Sequence, residues 1–221
     1  MDPLVLRNGL IYFIILAASL CLRAFAQAWV ADRLGDRTPA MEGRLTVNPV
    51  PHIDLLGTIV LPLISIFYLQ PALDRASLRF FLGWAAPVPI NPHNFRNPRT
   101  GVLLTQFAGT GFSILLSLIA AVIAGIFLRL HNQDPIEVFG VIIIINCSLI
   151  VFDCLPLPPL PGGVLLRHLG FMSEETFVHF SRWSGLALLI LINIRPVANM
   201  ISFLVELTTI PFSLVMQLVA L

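Results

Sequence analysis

The chain contains no lysine; all 13 of its cationic residues are arginine. Charge of either sign is scarce, at 11% of residues, where a soluble domain carries roughly 25%. The net charge of +1 leaves no basic field to attract a nucleic acid, so that partner class is excluded. Cysteine is rare too. Cys21, Cys147 and Cys154 all fall within apolar runs, and an odd set so placed does not make a disulfide framework. Buried small apolar side chains are the expected role. Among the five histidines, His52, His93, His131, His168 and His179, no two stand three or four residues apart, so no pair can share a helix face as metal ligands. Internal repeats, heptad runs and low-complexity tracts are missing as well.

What the chain has in excess is apolar surface. Hydrophobic residues make up 57% and the mean hydropathy is +0.90, too much for a globule in water, so lipid is the expected solvent. Its 221 residues could hold about five or six spans of roughly 20 residues. The expected fold is therefore an all-α, polytopic membrane protein forming a single transmembrane domain over 1–221. The apolar stretches are 10–30, which contains Arg23; 55–69, interrupted by Gly57 and Pro62; 101–128; 138–155; and a pair, 184–194 and 197–221, split by Arg195-Pro196. Pro196 predicts a break or kink, so the tail reads as two spans or one broken one. A further stretch, 80–89, is too proline-rich to span alone. The first run is too long for a signal peptide and lacks a small-residue cleavage site, so it reads as a retained span.

Three segments between these runs are dense in turn-formers: GRLTVNPVPHID (43–54), GWAAPVPINPHNFRNPRTG (83–101) and DCLPLPPLPGG (153–163). Each proline disfavours helix at the residue before it, so all three are expected to be extended or looped. Non-helical backbone at membrane depth survives only where protein buries it or a wet cavity solvates it, so the third segment points to a packed interior. Arg33, Arg37 and Arg44 follow the first run, and Arg75, Arg79, Arg96 and Arg99 follow the second. If both runs span, those loops lie on opposite sides with similar charge, and the positive-inside rule assigns no orientation.

Several blocks together resemble the short, prokaryotic branch of the site-2 protease family of intramembrane zinc metalloproteases: AWVADRLGD (28–36), GRLTVNPVPHIDLLGTIVLPL (43–63), GWAAPVPINPHNFRNP (83–98) and LPLPPLPGG (155–163), with FAGTGFS (107–113) as a weaker echo. The resemblance covers nearly the whole chain. It implies a His-Glu-x-x-His motif on the first span, whose two His share a helix face and bind zinc while the Glu acts as general base. The corresponding stretch here is RAFAQ. Arg23 and Gln27 stand at the His positions and Ala24 at the base position. The third ligand implied is the Asp of a Pro-Pro-Leu-Asp-Gly turn, and Pro161 occupies its place.

The chemistry of those four residues argues against a zinc protease. Zinc catalysis requires a metal that lowers the pKa of bound water to about 7, and a permanently charged guanidinium repels the ion. Zinc is expected to be absent, and no cofactor is expected. His52 and Asp54 lie in a block that the family shares, so they imply no new metal site. His168 and His179, flanking Glu174-Glu175, read as a solvated loop.

Arg23 stands apart, because a cation within a span costs about 2.5–3.5 kcal/mol on insertion scales and normally faces the bundle interior with a partner. Two placements are open to it. It could snorkel to the interface, or pair with Asp153, which stands where the family has Asn at the head of its proline-rich turn. The expected function is a non-catalytic subunit or adaptor in the bacterial inner membrane that binds other integral membrane proteins and lipid, including the structural subunit of a larger complex. The alternatives are an enzyme with a rebuilt metal site, and a cofactor- or lipid-binding subunit. The latter needs an axial ligand such as His within a span, and all five His read as loop or span-end residues.

Overall fold

A computed structural model describes residues 3–69, 83–192 and 194–221, and among them it has helices and no strand. In chain order the helices are α1 (Pro3–Arg33), α2 (Thr38–Met41), α3 (Leu55–Phe67), α4 (Pro98–Arg129), α5 (Ile136–Cys154), α6 (Pro161–His168), α7 (Glu174–Ile192) and α8 (Arg195–Ala220). Four of these, α1, α4, α5 and α8, are long and apolar enough to cross a membrane. At 1.5 Å per residue, α1 and α4 reach about 45 Å, more than the roughly 30 Å of a hydrocarbon core.

The span count of five or six is therefore not met among the described residues. The stretch at 55–69 forms a short helix that is too brief to span. The break expected at Arg195-Pro196 is there, since α7 ends at Ile192 and α8 starts at Arg195. Ile194 is extended, at φ −84° and ψ 111°, and Pro196 sits in the first turn of α8, where a missing N–H costs nothing. The proline-rich stretch 80–89 lies partly outside the described residues, as do Arg75 and Arg79, and from Gly83 to Ile90 the chain forms neither helix nor strand. Two expected loops end earlier than their prolines suggest. Residues 98–101 already belong to α4, because Pro98 takes the first helical position and the Asn97 side chain caps it, accepting from Thr100 N at 3.3 Å. Asp153 and Cys154 close α5, and Pro161-Gly162-Gly163 open α6.

The bundle closes around α4, whose buried face is built from small residues, among them Gly101, Thr105, Gly109, Ser113, Ser117, Ala121, Ala124 and Gly125. In lipid there is no hydrophobic force between helices, and small residues let backbones approach closely enough for dispersion and hydrogen bonds to hold them together. Gly125 shows how close: a Cβ there would lie 2.6 Å from the Met216 carbonyl oxygen of α8. One apolar cluster joins α4, α5 and α8 through Ala121, Ile143, Cys147, Val151, Ile201 and Val205. A second joins α1, α3 and α5 through Leu16, Leu20, Ile66, Ile145 and Leu149. Cys21 and Cys147 are buried, but Cys154, expected to be buried, is exposed.

The polar loops at one end are anchored by side chains. The Asp54 carboxylate accepts from Gly57 N at 2.6 Å, and the Thr58 hydroxyl donates to the Trp84 carbonyl at 2.8 Å. Gly57 is required here, since a Cβ would come within 2.4 Å of the Trp84 indole.

Candidate functional site

Three helices bring polar side chains into the bundle interior. On α1, Ser19, Arg23 and Gln27 recur every four residues and so share a face. On α4, Thr105, Gly109, Ser113 and Ser117 repeat the same spacing. From α5 come Asn146 and Asp153, two turns apart.

Arg23 and Asp153 meet at the crossing, with Nη2 to Oδ2 at 2.6 Å. Both residues are buried, at 8% and 6% exposure, so the guanidinium turns inward instead of reaching for the membrane surface. Burying two charges is worthwhile only if their remaining hydrogen-bonding capacity is used. Arg23 Nη1 also donates to Ser113 Oγ at 2.6 Å, and Asp153 Oδ2 also accepts from Thr110 Oγ1. Gly109 makes the room: a Cβ there would stand 3.3 Å from Gln27 Nε2 and 3.4 Å from Arg23 Nη2. Gln27 Nε2 itself donates to the Gln106 carbonyl at 3.2 Å.

Ala24 is buried on α1, at 3% exposure, and Pro161 is buried at the first position of α6. Among the described residues no three His, Cys, Asp or Glu side chains gather where they could hold a metal ion. His52 is buried with Nε2 2.9 Å from the Thr46 carbonyl. His168 and His179 are exposed as expected of solvated residues, but they are not in a loop. His168 ends α6 and His179 lies within α7, whose first residues are Glu174 and Glu175.

Thr110, Ser113, Gly109, Ser19 and Asn146 belong to this site and were not singled out by motif. For Gly109 and Ser113 the signal that could have found them is the four-residue recurrence of small residues along α4, which passes through the FAGTGFS block.

Beyond the membrane-spanning part, one carboxylate clamps two loops. Asp36 has no exposed surface and accepts from Thr38 N at 3.1 Å, Thr38 Oγ1 at 2.5 Å, Asn91 N at 2.7 Å and Asn94 Nδ2 at 2.9 Å. Burial alone raises its pKa, but the hydrogen bonds from Thr38, Asn94 and Asn91 outweigh it and hold the carboxyl below its ordinary 3.8. A depressed carboxylate stabilises the fold above its unfolded value, and that stability is lost as pH falls through the folded value. The clamp is thus intact at neutral pH and released only in acid below 3.8. Asp36→Ala is expected to cost about 2–3 kcal/mol at neutral pH, as hydrogen bonds to a charged group do. It should also flatten the acid limb of a thermal-stability profile, and an unchanged limb would contradict the assignment.

No family model and no solved structure matches the chain. A comparison with curated proteins finds "Putative zinc metalloprotease YwhC" of Bacillus subtilis (strain 168), 31% identical over 175 residues, which are 76% of this chain and 71% of that protein.

Proposed function

The chain belongs to the metalloprotease family that includes this Bacillus protein, and from that premise we propose that it is a catalytically degenerate member with the site-2 protease architecture. It acts as a non-catalytic subunit or adaptor in the bacterial inner membrane and binds other integral membrane proteins. The observation that carries this reading is the chemistry at the four positions where the family's resemblance implies ligands and base. Arg23 is cationic at every physiological pH and already engages Asp153 and Ser113. Ala24 has no group that accepts a proton. The Gln27 amide is turned to a carbonyl of α4, and Pro161 offers no side-chain donor.

Zinc does not fit this set. A catalytic zinc site takes three protein ligands and keeps a fourth position for water. Among the described residues Asp153 is the one anionic side chain at the crossing, and its Oδ2 is shared between Arg23 and Thr110. The guanidinium does mechanically what a metal would do in an active relative: it ties the first long helix to the end of α5, next to the proline-rich turn. Adaptor binding has support in the outer surface of α8, which presents Met200, Phe203, Leu207, Ile210, Leu214 and Leu218, a face suited to lipid or to apolar partner helices.

The test is proteolysis. The purified chain, supplied with zinc and a set of single-span peptides in bilayers, is expected to leave all of them intact. Cleavage that vanishes on Asp153→Asn would overturn the proposal.

A further inference from the structure

We propose that the bundle interior holds ordered water one helical turn from the ion pair, bound between Ser117 of α4 and Asn146 of α5. The inference does not depend on whether the chain cleaves peptides. It starts from register. Gln27 bonds to Gln106 and Arg23 to Ser113, so α1 and α4 run antiparallel, and Ser19, one turn before Arg23, comes level with Ser117, one turn beyond Ser113. Asn146 belongs to the same layer, because its Nδ2 donates to Ser19 Oγ at 3.1 Å.

Three polar side chains thus share one level deep in the bundle. Asn146 and Ser117 have no exposed surface and Ser19 has 3%. Their hydrogen bonds do not close. Asn146 spends its amide protons on Ser19 and on the Ile142 carbonyl at 3.0 Å, which leaves Oδ1 with no partner. Ser117 Oγ also has none. It lies beside the Cys147 thiol, a weak partner at best, and that thiol is itself directed to the Thr208 carbonyl at 3.7 Å.

A hydroxyl in a membrane helix has an easy way out, which is to donate to the carbonyl four residues back. Ser148 does this to Ile144 at 2.8 Å, and Thr208 to Leu204 at 2.7 Å. Ser117 does not. An acceptor and a hydroxyl, both buried and unpaired in one layer, are what a water molecule satisfies, since it needs two to four polar partners. Water here also explains how a buried ion pair one turn away is tolerated, by raising the local polarity on its inner side.

Cys147 is the built-in reporter, because a thiol is oxidised readily by hydroxyl radicals but meets them only where water is near. The full chain in lipid nanodiscs is equilibrated in 18O-water and then given an X-ray pulse, and oxygen isotope is read at each side chain by mass spectrometry. Cys147 is expected to take up label from the water held in this layer. That label is expected to be lost in Asn146→Leu and in Ser117→Ala, the milder variant. Unlabelled Cys147 in the native chain means the layer is dry and Ser117 donates to its own helix, and the proposal is overturned. Label that persists in both variants also overturns it, because the water is then held by other groups.

Discussion

Asp153→Ala is expected to destabilise the protein by about 3–5 kcal/mol, because removing one partner of a buried pair strands the other charge. The stranded group is the Arg23 guanidinium, 8% exposed and ringed by Gly109, Thr110 and Ser113. Arg23→Leu should cost a similar amount, since Asp153 then keeps only the Thr110 hydroxyl. The double variant Arg23→Leu/Asp153→Leu removes both charges together and exchanges the pair for apolar packing, a change that is often close to neutral. It should be far milder than the two single losses added, although Ser113 and Thr110 each lose a partner and take back part of the gain. Thermal unfolding in one detergent of the native chain, Arg23→Leu, Asp153→Leu and the double variant supplies all four corners of the cycle. Additive single losses would mean that the two side chains do not act as a pair.

The second large effect is expected at Gly162. A methyl group there would meet the Leu155 carbonyl oxygen at 2.4 Å and that of Cys154 at 2.8 Å. Both are backbone atoms immediately after Asp153, so they cannot swing aside as a side-chain tip would. Gly162→Ala should therefore push α6 away from the end of α5, costing about 1–3 kcal/mol as overpacking does, and should move Asp153 with it. A control separates this from the ordinary effect of replacing a helical glycine. Gly111 in α4 and Gly140 in α5 have open space where a Cβ would go, so alanine there is expected to be neutral or stabilising by about 0.5–1 kcal/mol. If Gly162→Ala melts with the controls, the close approach carries no weight. A reduced coupling energy between Arg23 and Asp153 in the Gly162→Ala background would show that the turn positions the carboxylate.

The sequence makes the membrane class legible, because composition alone decides which solvent a chain can tolerate. The long apolar runs were legible for the same reason, and α1, α4, α5 and α8 lie over them. Span number was harder to read. The break at Pro196 was legible, with α7 ending at Ile192 and Pro196 in the first turn of α8, but the 55–69 run is apolar and too short to cross. Histidine placement failed in a similar way: Glu174, Glu175 and His179 look like loop in composition, yet acidic residues suit the first turn of a helix, where α7 puts the two glutamates. At the site, Arg23 was conspicuous because a charge in an apolar run is costly. Ser113, Thr110 and Gly109 were not, because each is ordinary in a membrane helix. What gives them their role is the crossing of α1 and α4, which no local pattern encodes.

The central claim is that a guanidinium–carboxylate pair stands where the family's resemblance implies a metal, and that this pair, not a metal, links α1 to the end of α5. Its most direct test is to count zinc per chain after purification without chelator, and to repeat the melt with chelator added. The expected result is far less than one zinc per chain and an unchanged melting temperature, since the metal's binding free energy contributes nothing to folding here. One zinc per chain that survives dialysis, together with a lower melting temperature in chelator, would contradict it.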